Sequence, residues 1–385
     1  MQELRRQLAG LEQRGLRRRR QVIEAADGTE VVIGGRRLLA FCSNDYLGLS
    51  RHAALIEAAQ EAARHYGVGA GASALISGHW AIHEQLERRL AAFAGFPRAL
   101  HFSTGYMANL ALLHTLPRRG DAVFADELNH ASLIDGAALT RAEVVEYPHC
   151  DVDALAAALA SSKAKQKFVV TDAVFSMDGD IAPLPQLLSL CEAHDAWLVV
   201  DDAHGFGVLG EGGRGSLSHF GLRSPRIIYM GTLGKAVGVA GAFVTAQEEV
   251  IEWLVQRART YIYTTAAPPM VAAAVLKSVD VIEQGEDLRA HLRKLVQRLR
   301  EGLRDLPWRL LPSQTAIQPL VVGESKDALA LSGLLRDAGI WVPAIRPPTV
   351  PMGTARLRIS LSAAHSEAQV DRLVEVLRRC AESLS

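Results

Sequence analysis

Five short apolar runs constrain the fold of this chain more than any other feature. They are Ala99-Leu100-His101-Phe102, Ala122-Val123-Phe124, Phe168-Val169-Val170-Thr171, Trp197-Leu198-Val199-Val200 and Ile227-Ile228-Tyr229-Met230, separated by segments with helical patterning. Runs of that length without period-two alternation suit strands covered on both faces. This predicts an α/β fold with a mainly parallel central sheet and helices on both faces. Ligands of such sheets gather beyond the carboxyl ends of the strands, so polar residues that follow the runs are the candidate site.

At 385 residues and 49% hydrophobic, the chain exceeds what one core usually holds, about 250–300 residues, and two lobes are expected. Residues 1–45 read as an N-terminal helix, with Leu4, Leu8, Leu11 and Leu16 at helical spacing, and an arm with β-type runs at Val31-Val32-Ile33 and Leu38-Leu39-Ala40. Residues 46–275 form the large α/β domain. One long helical pattern, Val271 to Leu303, leads into a smaller α+β domain over 276–385, with strand-like Leu320-Val321-Val322 and Leu357-Arg358-Ile359-Ser360. Forty-two basic and forty-two acidic residues cancel, which argues against nucleic acid or a membrane as partner. No apolar run reaches the roughly 18 residues of a membrane span. Cys42, Cys150, Cys191 and Cys380 lie far apart, so neither a zinc cage nor a disulfide framework is expected, and a reducing cytoplasm fits.

The chemistry concentrates between Ala196 and Ala236. One run ends in Asp201-Asp202-Ala203-His204, and the next is followed by Thr232-Leu233-Gly234-Lys235. A lysine amine can form a Schiff base with an aldehyde cofactor, and a carboxylate can keep a pyridine nitrogen protonated, which is what pyridoxal phosphate (PLP) needs. Alternation along the strand sends Asp201 and Asp202 to opposite faces, and either could serve. His204 could bond the cofactor's phenolic oxygen. Ser103-Thr104-Gly105-Tyr106 ends another run and opens a helix whose free N–H groups suit a phosphate. His130, in Asn129-His130-Ala131-Ser132, could stack on a ring or simply pack, and Ser176 could hold a ring substituent. Near the C-terminus, Arg356 and Arg358 share a strand face. Either could grip a carboxylate, and either could equally be one half of an ion pair.

Other patterns carry less. Gly210-Glu211-Gly212-Gly213-Arg214-Gly215 satisfies G-x-G-x-x-G, but it continues as a charged loop rather than opening a helix after a strand, against a dinucleotide oxidoreductase. His83-Glu84-Gln85-Leu86-Glu87 lacks the second histidine of a zinc protease. Arg17-Arg18-Arg19-Arg20 reads as a solvated face.

Taken together, Ser43-Asn44-Asp45-Tyr46-Leu47-Gly48-Leu49, Asn129-His130-Ala131-Ser132, Asp201-Asp202-Ala203-His204-Gly205, Thr232-Leu233-Gly234-Lys235 and Ala363-Ala364-His365 resemble the α-oxoamine synthase family of fold-type I PLP enzymes, over essentially the whole chain. Ile345-Arg346-Pro347-Pro348-Thr349-Val350-Pro351 and Gly353-Thr354-Ala355-Arg356-Leu357-Arg358 look most like its biotin-pathway branch. The resemblance implies an aspartate aminotransferase-like fold and a PLP-dependent acyltransferase that condenses L-alanine with pimeloyl-CoA or pimeloyl-acyl carrier protein. It implies Lys235 as the Schiff-base lysine, Asp201 at the pyridine nitrogen and His130 over the ring. His204 and Ser176 would contact the ring oxygen, and Gly105, Tyr106 and Thr232 the phosphate. Arg358 would bind the amino-acid carboxylate with Asn44 nearby, and Thr349 and Arg17 the acyl substrate. Tyr106 replaces the phenylalanine common after that glycine, and Ala70 to Ile76 is less glycine-rich than usual. A homodimer is implied, with an interfacial active site and the Gly67–Gly78 loop as cross-subunit contact. The rivals are glycine or serine as donor with another acyl-CoA, and a non-catalytic partner subunit.

Overall fold

The computed structural model describes residues 1–14 and 16–384. All five apolar runs are strands of one sheet, in the spatial order Arg98–Phe102, Ala242–Ala246, Ile227–Thr232, Ala196–Asp201, Lys167–Asp172, Ala122–Asp126, Glu143–Tyr147. The pairs from Ile227–Thr232 through Glu143–Tyr147 are parallel, and only Ala242–Ala246 runs against its neighbours. Phe168, Val169, Val170, Leu198, Val199, Val200, Ile227 and Ile228 are all buried, as strands covered on both faces must be. Two strands of this sheet are not among the five runs, and one of them, Ala242–Ala246, is buried throughout and holds an apolar run of the same kind, Ala242-Phe243-Val244. Glu143–Tyr147 is an edge strand that leaves both glutamates and Val144 in solvent, so it carries no continuous apolar signal.

The C-terminal lobe has an antiparallel sheet in the order Arg309–Leu310, Ile317–Gly323, Ala355–Ser360, Ala344–Ile345. Helices Glu286–Gly302, Ser325–Asp337 and Glu367–Leu384 accompany it. The N-terminal strands Ala25–Asp27, Glu30–Ile33 and Arg36–Ala40 form a meander whose last member pairs in parallel with Ile340–Trp341. The start of the chain thus extends this lobe. Its first helix is Gln2–Gln13 and stops short of Leu16.

The single helix expected from Val271 to Leu303 is two, Pro269–Gln284 and Glu286–Gly302, broken at Gly285. The first packs on the large-domain helices Ala53–Tyr66 and Ala81–Ala94, so a division at 275/276 falls inside it. Both segments are amphipathic, and periodicity alone does not see the break. Buried Arg289 reinforces the turn by donating to the Ile282 carbonyl at 2.5 Å, which also accepts from Gly285 N–H at 3.0 Å.

Candidate active site

Lys235 follows the strand Ile227–Thr232 in a tight turn closed by Gly238 N–H to the Lys235 carbonyl (2.8 Å) and Val239 N–H to the Leu233 carbonyl (3.0 Å). Gly238 has φ +73°, and a Cβ there would meet Ser50 N at 2.5 Å, so only glycine lets the turn press against Leu49-Ser50. The Thr232 hydroxyl donates to the Gly241 carbonyl (3.2 Å) and accepts from Gly234 N–H (3.4 Å).

Lys235 Nζ lies 2.8 Å from His204 Nε2, and His204 Nδ1 lies 2.6 Å from Tyr46 Oη. Tyr46 O–H donates to Asn44 Oδ1 (3.2 Å), which also accepts from Arg358 Nη1 (3.3 Å). One chain of hydrogen bonds therefore runs from the lysine to the arginine. Burial lowers the Lys235 amine to about 8, against the pull of Asp201 and Asp172. Burial also pushes His204 well below its usual value, so its ring is neutral and can donate at one nitrogen and accept at the other.

The two candidate aspartates diverge as strand alternation requires. Asp202 is saturated: it accepts from Ser216 N–H (2.6 Å), Ser216 O–H (2.6 Å) and Tyr229 O–H (2.7 Å). Asp201 accepts from Ala203 N–H (2.9 Å) and Asn109 Nδ2 (2.7 Å), both neutral donors. Asp172 lies directly across the ladder from Asp201. Burial and Asp201 raise its carboxyl well above the ordinary range. Asn109 and Asp172 had no assigned part in the sequence reading. Asn109 was findable, because it stands one helical turn beyond Gly105 and so shares that residue's face.

The helix Gly105–Thr115 begins at Thr104, whose hydroxyl accepts from Met107 N–H at 3.2 Å. The N–H groups of Gly105 and Tyr106 have no protein acceptor among the described residues. The Tyr106 ring is exposed and its hydroxyl bonds Asp135. His130 caps the helix Ala131–Leu139. Its N–H donates to Asp172 (2.6 Å), and its Nδ1 lies 2.7 Å from Ser132 Oγ. Partial burial holds its ring below the usual range, with Asp201 opposing.

The arginines separate. Arg356 donates to Asp178 (2.7 Å) and the Met177 carbonyl (3.1 Å). Arg358, equally buried, donates to the Ser176 carbonyl (2.6 Å), Ser360 Oγ (2.8 Å) and Asn44, with no carboxylate within 4 Å among the described residues. Two expected residues are not brought to this cluster. Arg17 is exposed and pairs with Glu12 at 3.2 Å. Thr349 is exposed, and its N–H donates to the Arg346 carbonyl (3.1 Å).

A buried carboxylate with neutral donors, a depressed lysine and a free helix N-terminus make one arrangement, and PLP fits it. Its protonated ring nitrogen would supply the cation Asp201 lacks, and its phosphate would suit the N–H groups of Gly105 and Tyr106. The family described as Aminotransferase class I and II matches residues 36–377. An 8-amino-7-oxononanoate synthase from Nitrosomonas europaea is 60% identical over 374 residues, 96% of this chain and 97% of that one. The chain belongs to this family of synthases, within the class I and II aminotransferases. Among solved structures, the Sphingomonas wittichii serine palmitoyltransferase superposes with TM-score 0.94 at 34% identity, covering 99% of this chain and 97% of that one. The 8-amino-7-oxononanoate synthase of Francisella tularensis does so with TM-score 0.77 at 34% identity, over 90% of this chain and 98% of that one. Among the described residues no helix is long and apolar enough to cross a membrane.

Proposed function

We propose that this chain condenses L-alanine with a pimeloyl thioester, releasing carbon dioxide and the free carrier thiol, to give 8-amino-7-oxononanoate for biotin biosynthesis. The cofactor is PLP. One observation carries the reading: Arg358, a buried guanidinium without an acidic partner among the described residues, stands on the same hydrogen-bond chain as the buried amine of Lys235. That pair suits a substrate with a carboxylate and a proton to be removed one carbon away.

When bound, PLP supplies an electron sink for negative charge at the substrate Cα. Lys235 would hold it covalently, Asp201 its ring nitrogen, His204 and Ser176 its ring oxygen, and Gly105, Tyr106 and Thr232 its phosphate. Arg358 and Asn44 orient the alanine carboxylate. The Lys235 amine, depressed to about 8, is neutral often enough near neutral pH to take the Cα proton. His130, whose ring burial holds below its usual range, would give a proton back. Thr349 and Arg17 are assigned to the acyl substrate and would need its arrival to be drawn in.

A homodimer is part of this reading, supported by exposed apolar side chains on and beside the Gly67–Gly78 loop: Val68 is 75%, Ile76 81% and Tyr263 71% exposed. A cytoplasmic enzyme is supported by the free thiols of Cys42, Cys150 and Cys191. Incubation of the purified protein with L-alanine and either pimeloyl-CoA or pimeloyl-acyl carrier protein, with glycine and serine as controls, tests the reading by product mass. A change of cofactor absorbance with L-alanine and a product at the mass of 8-amino-7-oxononanoate are expected. No such product with either carrier would refute it.

A further inference from the structure

The loop that carries Ser176 is tied down from two sides. Phe175 N–H donates to the Asp180 carbonyl (3.0 Å) and Gly179 N–H to the Phe175 carbonyl (2.8 Å), so residues 175–180 form one closed turn. On the small-lobe side, Ser176 offers its carbonyl to Arg358, and Gly179 its carbonyl to Ser313 (2.7 Å). On the other side stands His149. Its Nε2 lies 2.8 Å from Asp180 Oδ2 and its Nδ1 3.0 Å from Asp126 Oδ1, while the Phe175 ring meets it edge-on at 4.3 Å.

Both ring nitrogens face carboxylates, so the imidazole is the cation that joins two acids. Burial opposes that charge, but the hydrogen bonds to Asp126 and Asp180 outweigh it and push the ring up to about 12. Asp126 is itself fixed at the end of its strand, accepting from Leu128 N–H (2.9 Å) and Cys150 N–H (2.8 Å). The second oxygen of Asp180 is buried and meets no donor, so among the described residues His149 alone satisfies that carboxylate. Without the imidazolium, Asp180 would be drawn toward water and the turn would move with it.

We infer that His149 is a positioning residue: by bridging Asp126 and Asp180 it sets the Ser176 carbonyl against Arg358 and so the direction in which that guanidinium meets the substrate carboxylate. The inference rests on the reading of Arg358 as the carboxylate site. His149→Asn keeps a donor toward Asp126 and loses the one toward Asp180. In the holoenzyme it is expected to raise KM for L-alanine about tenfold, the scale of one strong hydrogen bond, with kcat and cofactor absorbance little changed. Asp180→Asn, which removes the charge and keeps the shape, should shift KM in the same direction and serves if the first variant does not fold. A lowered melting temperature with unchanged KM would mean a structural role only and overturn the inference. So would zinc at one equivalent in the purified protein, lost in Cys150→Ser, since the cluster would then be a metal site. Arg358→Lys separates the two readings. If it raises KM and His149→Asn does not, positioning fails alone. If Arg358→Lys leaves KM unchanged, the carboxylate reading itself fails.

Discussion

Asn109 donates to the Asp201 carboxylate at 2.7 Å from the inner face of the helix whose first N–H groups are free at Gly105 and Tyr106. In the proposed reading a single element would therefore address both ends of the cofactor. Asn109→Ala leaves Asp201 with one neutral donor. It is expected to weaken PLP binding about tenfold or more, the scale of a hydrogen bond to a charged group, as read by cofactor titration of the apoprotein.

Lys235→Ala removes the amine proposed to take the Cα proton. Turnover should fall by at least about a hundredfold, the lower end of what a positioned base contributes, and the Schiff-base absorbance should vanish. Retention of either would exclude Lys235 from the chemistry.

The amine of Lys235 is lowered from 10.5 to about 8. Only the neutral form attacks an aldehyde, so the rate at which the apoprotein captures PLP should climb with pH up to about 8 and then level. Stability follows the same linkage. Between about 8 and 10.5 the unfolded chain binds more protons at this residue, so its contribution to stability improves as pH rises, and the deficit is complete below 8. Apoprotein Lys235→Met should therefore melt above wild type at pH 7, with the gap closing toward pH 10.

Arg356 and Arg358 should behave differently although they share a strand face. Arg356→Ala breaks the ion pair with Asp178, which is partly exposed, and is expected to cost about 1–2 kcal/mol of stability, read by denaturant unfolding. Arg358→Ala should instead raise KM for L-alanine by about two orders of magnitude, as expected when a buried guanidinium loses a carboxylate. Equal effects from both would dissolve the distinction.

Gly179 has φ +73°, and a Cβ there would lie 2.5 Å from the Ile317 carbonyl and 2.6 Å from Ser313 Oγ. Gly179→Ala should destabilise by more than about 1 kcal/mol and separate the Ser176 loop from the small lobe. Differential scanning calorimetry reads the first effect and KM for L-alanine the second.

The order of strands and helices, and the placing of Gly105, His130, Asp201 and Lys235 after apolar runs, follow from local pattern, because burial on both faces imposes continuous apolar runs and leaves the polar residues at their ends. Local pattern also shows that Asp201 and Asp202 point apart. Tertiary structure alone decides which of them Ser216 and Tyr229 saturate, and that Asp178 claims Arg356 while Arg358 meets no acid among the described residues. It likewise decides that the N-terminal strands join Ile340–Trp341 and that the long helical pattern breaks at Gly285. The pairings here reach across tens to hundreds of residues of sequence, and nothing in the spacing of one segment reports the charge or hydrogen bond that another, distant in sequence, brings to it. Only the folded chain carries that information.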